Sequence, residues 1–312
     1  MSSNHPGSRT FGFIGVTASQ SSINRVFPRW AEVLELGPVT FEPVDLPVGA
    51  GMEAYRRVVD RIAADPWHVG ALVTTHKVRL LEATRDRFAS LDAHAGLLNE
   101  ISCIVKRDGR LHGAAMDPIT AGAALHSFLP SDHFAATDAH VLCLGAGGAG
   151  LAITVNLLTR AVVERPRRII LVDPERARLD ECARVLGDLG VVDAVTLAES
   201  GDAGRNDVLV AGLPPGSLVV NATGLGKDRV GSPLTDRAVF PARGLVWELN
   251  YRGDLGFLRQ ARIQQEERGL TVEDGWTYFL HGWSAVVAET FDVPIDERML
   301  ERLGEVAAEV RE

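Results

Sequence analysis

One stretch of the sequence predicts the architecture of the second half of the chain, and it reads Val141-Leu-Cys-Leu-Gly145-Ala-Gly147-Gly-Ala-Gly150-Leu-Ala152. A short apolar run, closely spaced glycines and an alanine-rich segment follow one another, as in a buried strand, a tight turn and a helix. In a Gly-x-Gly-x-x-Gly turn the glycines make the bend, let the backbone approach a pyrophosphate, and let the helix pack on the strand. The pattern predicts a doubly wound Rossmann domain that binds a dinucleotide through Gly145, Ala146, Gly147, Gly148 and Ala149.

A second apolar strand, residues 168–173, follows the glycine turn and ends in a carboxylate. An acid about 20 residues after the glycines commonly accepts hydrogen bonds from the ribose hydroxyls of NAD and repels the 2′-phosphate of NADP. Asp173 therefore predicts NAD as the cofactor, with NADP less favoured. Arg178 lies close by, where an arginine would suit a 2′-phosphate instead.

Length, charge and cysteine spacing set the broad class of the chain. Its 312 residues are about twice a common domain of ~150, so two domains are expected. The formal net charge of −9 argues against nucleic acid as a partner, because a phosphate backbone requires a basic surface. The sequence has no apolar run of membrane-spanning length, and its three scattered cysteines have no metal-binding spacing. These features predict a cytoplasmic protein without a metal site or a membrane partner.

Lysine is scarce in this chain. Of 32 basic residues only Lys77, Lys106 and Lys227 are lysines, and the rest are arginines. A lysine can release its proton once its pKa is lowered, whereas an arginine in a protein does not. Lys77 follows an apolar strand, which makes it the candidate for proton chemistry, while Lys106 and Lys227 lie in polar turns.

The first part of the chain alternates strand-like and helix-like segments. Strands are predicted at residues 11–16, 39–46 and 70–75, and a hairpin over residues 97–115 turns at 107–109. The alternation predicts an α/β substrate domain over residues 1–130. The dinucleotide domain is predicted over residues 131–276, and C-terminal helices over residues 277–312 are expected to return to the first domain.

Seven different short motifs follow one another along the chain. They are Ser19-Gln-Ser21, Leu72-Val-Thr-Thr-His-Lys77, Gly96-Leu-Leu-Asn99, Gly113-Ala-Ala-Met-Asp117, Asn221-Ala-Thr-Gly-Leu-Gly226, Glu248-Leu-Asn-Tyr251 and Asp274-Gly275. Each motif alone is modest. Together they resemble the shikimate dehydrogenase family, which includes quinate-oxidising members, over most of the chain.

The resemblance implies reversible oxidation of a secondary alcohol on a cyclic polyhydroxy carboxylic acid to the 3-keto acid, with a nicotinamide cofactor. It makes Lys77 the acid–base group and Asp117 the residue that orients it. It also implies that the substrate is bound by Ser19, Ser21, Thr74, Asn99, Tyr251 and His281. Further cofactor contacts are expected from Asn221, Thr223, Gly224, Leu249 and Gly275.

Several positions depart from the family pattern. Thr75 stands where the family has a proline, Ala115 and Met116 replace an Asn-Thr pair, and His281 lies near the place of a glutamine. The substrate therefore stays open between shikimate, quinate, an amino-substituted analogue and another cyclic polyol acid. A dinucleotide- or metabolite-sensing module and a folate-linked dehydrogenase remain alternatives. A small molecule is the expected partner of a monomer or homodimer, with no nucleic acid involved.

Overall fold

The computed structural model describes residues 7–227 and 229–310, which form two compact units. The first unit comprises Met1–Met116 and Gly282–Glu312, and the second comprises Asp117–His281. Each unit carries its own sheet with helices, which confirms the predicted two-domain α/β class. The division falls at residue 116, so the helix that begins at Asp117 belongs to the second unit.

The strands are β1 (Arg9–Gly15), β2 (Val39–Asp45), β3 (His68–Val73), β4 (Phe88–Leu91), β5 (Cys103–Arg107), β6 (Arg110–Ala114), β7 (Val141–Leu144), β8 (Ile169–Asp173), β9 (Val195–Glu199), β10 (Leu218–Asn221), β11 (Leu245–Glu248) and β12 (Thr271–Glu273). The helices are α1 (Ile23–Val33), α2 (Met52–Ala64), α3 (Lys77–Thr84), α4 (Ala93–Leu98), α5 (Asp117–His126), α6 (His133–Ala136), α7 (Gly148–Thr159), α8 (Arg176–Asp188), α9 (Ala203–Ala211), α10 (Gly256–Arg268), α11 (Trp276–Phe291) and α12 (Glu297–Ala308).

The sheet of the first unit has the strand order β2-β1-β3-β5-β6-β4. β1 pairs in parallel with β2 and β3, whereas β5 runs antiparallel to both β3 and β6. Leu72 near the end of β3 is opposite Cys103 at the start of β5, and Cys103 is opposite Ala114 at the end of β6. The reversal therefore brings the start of β5 and the end of β6 to the edge where β1, β2 and β3 end.

Aromatic side chains fill the core of the first unit. Phe11 and Phe27 lie 5.2 Å apart between ring centroids, and both are almost fully buried. Trp30, on the buried face of α1, donates its indole N–H to the carbonyl oxygen of Leu303 in α12 at 2.8 Å. Because each such side chain contributes about 1.5–3 kcal/mol on burial, this cluster anchors α1 and α12 to the sheet.

Lys106 makes hydrogen bonds to backbone carbonyls that its polar sequence context did not predict. Its ammonium group donates hydrogen bonds to the carbonyl oxygens of Ile62, Ala63 and Asp65, at 3.2, 2.7 and 2.8 Å. These carbonyls lie at the C-terminal end of α2, where a cation is stabilised by the helix dipole. Lys106 thus joins β5 to the end of α2, away from the end of β3.

The sheet of the second unit has the order β12-β11-β10-β7-β8-β9, with every pairing parallel. The strands β7, β8, β10 and β11 are buried along their whole length, as expected for a sheet covered on both faces. The strand order reverses between β7 and β10. In such sheets the ligand crevice lies outside the carboxyl ends of the strands at this switch point.

The predicted hairpin differs from the structure in its first arm. Leu97 and Leu98 end helix α4, and the strand begins only at Cys103. The Asp92 carboxylate accepts a hydrogen bond from the backbone N–H of Ala95 at 2.7 Å and caps the start of this helix. The short strands β4 and β12 were not predicted, because runs this brief carry little periodicity.

All three cysteines are buried and free. Burial raises the pKa of Cys103 and of Cys182 to about 12, and it also raises the pKa of Cys143. Across residues 7–227 and 229–310, no cluster of His, Cys, Asp and Glu has the composition of a metal site. In the same part of the chain, none of the helices combines the length and apolarity that crossing a membrane requires.

Candidate active site

Five of the predicted substrate and catalytic positions lie along one edge of the first sheet, where β1, β2 and β3 end; we call it the first-sheet edge. The backbone N–H of Thr74 donates to the carbonyl oxygen of Ile14 at 2.9 Å. The backbone N–H of Val73 donates to the carbonyl oxygen of Ser102 at 2.8 Å. Those bonds hold the end of β1 and the segment before β5 beside the end of β3. The predicted positions that lie at this edge are Ser19, Ser21, Thr74, Lys77 and Asn99.

The turn before Lys77 has an uncommon backbone. The N–H of His76 donates to the carbonyl oxygen of Thr74 at 2.6 Å, which closes a γ-turn around Thr75. Thr75 has φ +60°, a left-handed conformation that is strained for a β-branched residue. A proline cannot adopt this φ, so the family proline is incompatible with the turn as it is built here. Lys77, half-buried, is the first residue of α3.

The buried imidazole of His76 holds this turn in place through two hydrogen bonds. Its Nε2 lies 2.9 Å from the carbonyl oxygen of Leu46, and its Nδ1 lies 3.0 Å from the Tyr55 hydroxyl. A carbonyl only accepts, so Nε2 carries the proton and Nδ1 accepts from Tyr55. Burial raises the pKa of Tyr55, which keeps its hydroxyl protonated as the donor. His76 thus joins the Lys77 turn to β2 and α2.

Ser19 is engaged by a carboxylate of the protein itself. Its backbone N–H donates to Asp45 Oδ1 at 2.9 Å, and its hydroxyl donates to Asp45 Oδ2. These hydrogen bonds, that from the hydroxyl first, lower the pKa of Asp45. The carbonyl oxygen of Ser21 accepts from the side-chain amide of Asn24 at 2.8 Å, which shapes the turn between β1 and α1.

Asn99 ends helix α4 in a left-handed conformation, with φ +51°. Its side-chain oxygen accepts a hydrogen bond from the guanidinium of Arg85 at 2.8 Å. With the oxygen engaged, the amide group of Asn99 is oriented as a donor toward other partners. Arg85 follows α3, so the same helix that begins with Lys77 also positions Asn99.

The position of Asp117 is set by its neighbours in sequence. The backbone N–H of Met116 donates to the Ser102 hydroxyl at 2.8 Å, which ties the end of β6 to the first-sheet edge. Asp117, the next residue, is buried and begins α5, which belongs to the second unit. Its carbonyl oxygen accepts from the Thr120 hydroxyl at 3.3 Å.

The glycine turn of the second unit has the geometry that a pyrophosphate requires. Gly145 has φ +103°, and a Cβ there would come within 2.6 Å of the Ala222 backbone. A Cβ on Gly150 would lie 2.0 Å from the carbonyl oxygen of Gly145, so α7 packs on the turn only with glycine there. Gly147, the residue before α7, provides no side-chain cap, which leaves the first N–H groups of the helix to an anion. These residues fit a dinucleotide.

The carboxylate of Asp173 is hydrogen-bonded to the backbone around this turn. Its Oδ2 accepts from the N–H of Ala146 at 2.9 Å, its Oδ1 accepts from the N–H of Glu175 at 2.9 Å, and its side chain is only 3% exposed. The guanidinium of Arg178 lies 3.9 Å from Asp173 Oδ2 and 3.0 Å from Glu175 Oε1. The carboxylate therefore stabilises the turn between β7 and α7.

A buried polar network follows β10 and β11. The side-chain nitrogen of Asn221 donates to Glu248 Oε2 at 2.7 Å, and its oxygen accepts from the Thr223 hydroxyl at 2.7 Å. Asn250 donates to Glu248 Oε1 from both its backbone and its side chain, at 2.8 and 2.7 Å. Despite these donors, burial raises the pKa of Glu248 to about 7. The network shapes the loop that leads to Gly224, where φ is +72°.

The last predicted positions follow β11 and β12. A Cβ on Gly275 would lie 2.0 Å from the carbonyl oxygen of Leu249, so a glycine is needed where the two loops meet. Tyr251 packs against Phe279, with ring centroids 4.8 Å apart. His281 is the last residue of the second unit, and burial lowers its pKa.

Sequence reasoning did not single out Asp45, Tyr55, Arg85 or Glu248 as members of these sites. The rule that ligand groups cluster where parallel strands end points to Asp45, since it closes β2. Arg85 and Tyr55 lie on or after helices and act through other side chains. Their proximity to Asn99 and His76 is a tertiary contact without a local sequence signal.

The two sheets, the strand order of the second and its glycine turn define an α/β protein with a Rossmann unit, the class to which many oxidoreductases belong. Shikimate dehydrogenase (NADP(+)) of Arthrobacter sp. strain FB24 is 30% identical over 276 residues, which cover 88% of this chain and 86% of that protein. The chain belongs to the shikimate dehydrogenase family.

A second curated relative agrees with this assignment, and a solved structure shares the fold. Shikimate dehydrogenase (NADP(+)) of Streptococcus thermophilus is 32% identical over 180 residues, 57% of this chain and 58% of that protein. The solved shikimate 5-dehydrogenase of Thermus thermophilus, in complex with NADP(H) and shikimate, superposes with a TM-score of 0.70 at 21% identity, covering 97% of this chain and 99% of that one. No protein-family model matches the chain.

The relatives correct the predicted cofactor preference. The curated relatives are named for NADP(+), and the Thermus structure holds NADP(H), so the prediction that NAD is favoured over NADP is wrong. The physical reason lies at Asp173, whose two carboxylate oxygens accept backbone N–H groups. Because this carboxylate is only 3% exposed and is oriented by the turn, its place in the sequence alone does not report cofactor choice.

Proposed function

We propose that this protein is a nicotinamide-dinucleotide-dependent dehydrogenase that interconverts a secondary alcohol and a ketone on a shikimate-like, cyclic polyhydroxy substrate. The observation that carries the proposal is the first-sheet edge, which brings Lys77 and Asn99 beside the Ser19 turn. The names of the curated relatives support the same chemistry. The glycine turn of the second unit supports a dinucleotide as the cofactor.

Lys77 is the proton-transfer group in this proposal. In oxidation its neutral amine accepts the proton of the substrate hydroxyl as the C–H hydrogen leaves with its electron pair, and in reduction the ammonium returns the proton. A nicotinamide ring, when bound, accepts that hydride in one direction and supplies it in the other. The γ-turn at Thr75 and the His76 anchor fix the backbone from which the amine projects.

The other assignments orient the substrate or the cofactor. The Asn99 amide donates to substrate hydroxyls, since its oxygen is held by Arg85. Asp117 orients Lys77 and binds a hydroxyl. Ser21, Thr74, Tyr251 and His281 remain predicted substrate contacts, and the remaining predicted cofactor contacts are Gly145, Ala146, Gly147, Gly148, Ala149, Arg178, Asn221, Thr223, Gly224, Leu249 and Gly275.

The proposal is tested with Lys77→Met, which removes the amine and keeps most of the stem. We expect kcat to fall by about 10²–10⁴, the usual contribution of a positioned acid–base group, while the Kd for the dinucleotide stays unchanged. Lys106→Met is the matched control, because that lysine caps α2 and is expected to affect stability rather than turnover. Undiminished turnover in Lys77→Met would reject the role of the amine.

A further inference from the structure

The position of Asp45 affects which substrates the first-sheet edge can bind. It ends β2 at the first-sheet edge, and both of its carboxylate oxygens accept hydrogen bonds from Ser19. The resemblance assigned the donors of Ser19 to the carboxylate of a cyclic acid. In this protein an anionic side chain of the chain itself already holds those donors. A second carboxylate at the same place would compete for the same N–H and hydroxyl and would meet a negative charge.

The backbone around Asp45 is fixed from two sides. The N–H of Leu46 donates to the carbonyl oxygen of Gly15 at 2.8 Å, and the carbonyl oxygen of Leu46 accepts from His76 at 2.9 Å. The first bond joins Asp45 to the segment that leads to Ser19, and the second joins it to the turn before Lys77. Asp45, Ser19 and the Lys77 turn therefore form one connected corner of the first-sheet edge.

We propose that the substrate of this dehydrogenase is an uncharged cyclic polyol or its ketone, which places a hydroxyl, in place of a carboxylate, against Asp45 and Ser19. The inference rests on the proposed function and specifies its substrate class. A carboxylate that accepts two hydrogen bonds keeps further lone pairs, and a substrate hydroxyl donates to one of them. The lowered pKa of Asp45 keeps this acceptor ionised at neutral pH.

The test compares a matched pair of substrates on the intact protein. Shikimate and its carboxamide share the same ring and hydroxyls and differ only at the group expected to face Asp45, which is an anionic carboxylate in one and a neutral amide in the other. With either NAD+ or NADP+, we expect kcat/KM for the carboxamide to exceed that for shikimate at least tenfold. A myo-inositol-type cyclitol serves as a second uncharged probe. Equal or better use of shikimate by the wild-type protein overturns the inference.

Single substitutions then test whether Asp45 causes the preference for the carboxamide over shikimate. Asp45→Asn is expected to raise the ratio of kcat/KM for shikimate to that for the carboxamide at least tenfold, because it removes the repelling charge. Asp108→Asn is the matched control: it makes the same change of charge in the exposed turn between β5 and β6, at the opposite end of the sheet. A ratio that moves equally in both variants overturns the role of Asp45.

A third variant keeps the proposal falsifiable if Asp45→Asn does not fold. Ser19→Ala is expected to change kcat/KM for both substrates by the same factor, because Ser19 acts through Asp45. A loss confined to shikimate would show that Ser19 binds the carboxylate directly and would overturn the inference. If none of the probes reduces either dinucleotide in the wild-type protein, the proposed function itself fails, and this outcome is distinct from a preference for the acid.

Discussion

Replacing His76 by phenylalanine tests how the Lys77 turn is held. The substitution keeps a planar ring of similar size but removes both ring nitrogens. The carbonyl oxygen of Leu46 and the hydroxyl of Tyr55, both in buried residues, then lose their partners. An unsatisfied buried polar group costs about 1–3 kcal/mol, so His76→Phe is expected to lower the free energy of unfolding by about 2–6 kcal/mol.

A double-mutant cycle with Tyr55→Phe gives the sharper result. Tyr55→Phe alone leaves Nδ1 of His76 without its donor, at a cost of about 1–3 kcal/mol. In the double variant the hydroxyl and the imidazole are both absent, and only the carbonyl of Leu46 remains unpaired. Two unpaired groups of the single variants, the Tyr55 hydroxyl and His76 Nδ1, are absent from the double variant. The double variant is therefore expected to be more stable than the sum of the single effects predicts, by about 2–6 kcal/mol.

The measurement is urea unfolding at equilibrium, with the free energy extrapolated linearly to water. Leu72→Ala, which removes a buried side chain of β3 without a polar partner, is combined with Tyr55→Phe as the control for general loosening. Effects of His76→Phe and Tyr55→Phe that add within about 0.5 kcal/mol would refute the hydrogen-bonded anchor, since independent sites behave in that way.

Two further predictions follow from the backbone at Thr75 and the buried carboxylate of Glu248. Thr75→Gly is expected to leave the free energy of unfolding unchanged or raised by about 1 kcal/mol, because glycine adopts positive φ freely, whereas Thr75→Pro should lower it by about 3 kcal/mol or more. Equal thermal stability of the two variants would contradict the γ-turn. The pKa of Glu248 is raised from 4.5 to about 7 in the folded protein, so the folded state binds more protons than the unfolded state between those values. The free energy of unfolding should therefore fall as pH rises from 4.5 to 7, by up to about 3 kcal/mol, and this fall should be smaller in Glu248→Gln. The same pH slope in both proteins would exclude Glu248 as its source.

The fold of the second unit follows closely from local sequence. Its strands are short apolar runs, and the glycines between β7 and α7 meet close backbone contacts that exclude any side chain. The switch of strand order after β7 follows from the general architecture of doubly wound sheets. Hydrophobic periodicity and glycine spacing are sufficient to predict the fold of this unit, because each of these features depends on only a few neighbouring residues.

The first unit depends more on tertiary contacts. The reversal of β5, which brings Asn99 to the edge with Lys77, is a pairing between distant strands that no local pattern determines. The Ser19 motif was correctly located after β1, but the carboxylate that engages it comes from the end of β2. Asp173 shows the same limit: its place after the glycine turn can be read from the sequence, whereas its hydrogen bonds to the backbone of Ala146 and Glu175 cannot.

The three buried thiols have a practical consequence for spectroscopy. Because burial raises the pKa of Cys103, Cys143 and Cys182, these residues hold almost no thiolate at neutral pH, and maleimide reagents react with the thiolate. A single cysteine introduced at an exposed position would thus take up a fluorophore over an unlabelled background. Paired dyes on the two units would follow their separation in solution as dinucleotide is added, without first removing any native residue.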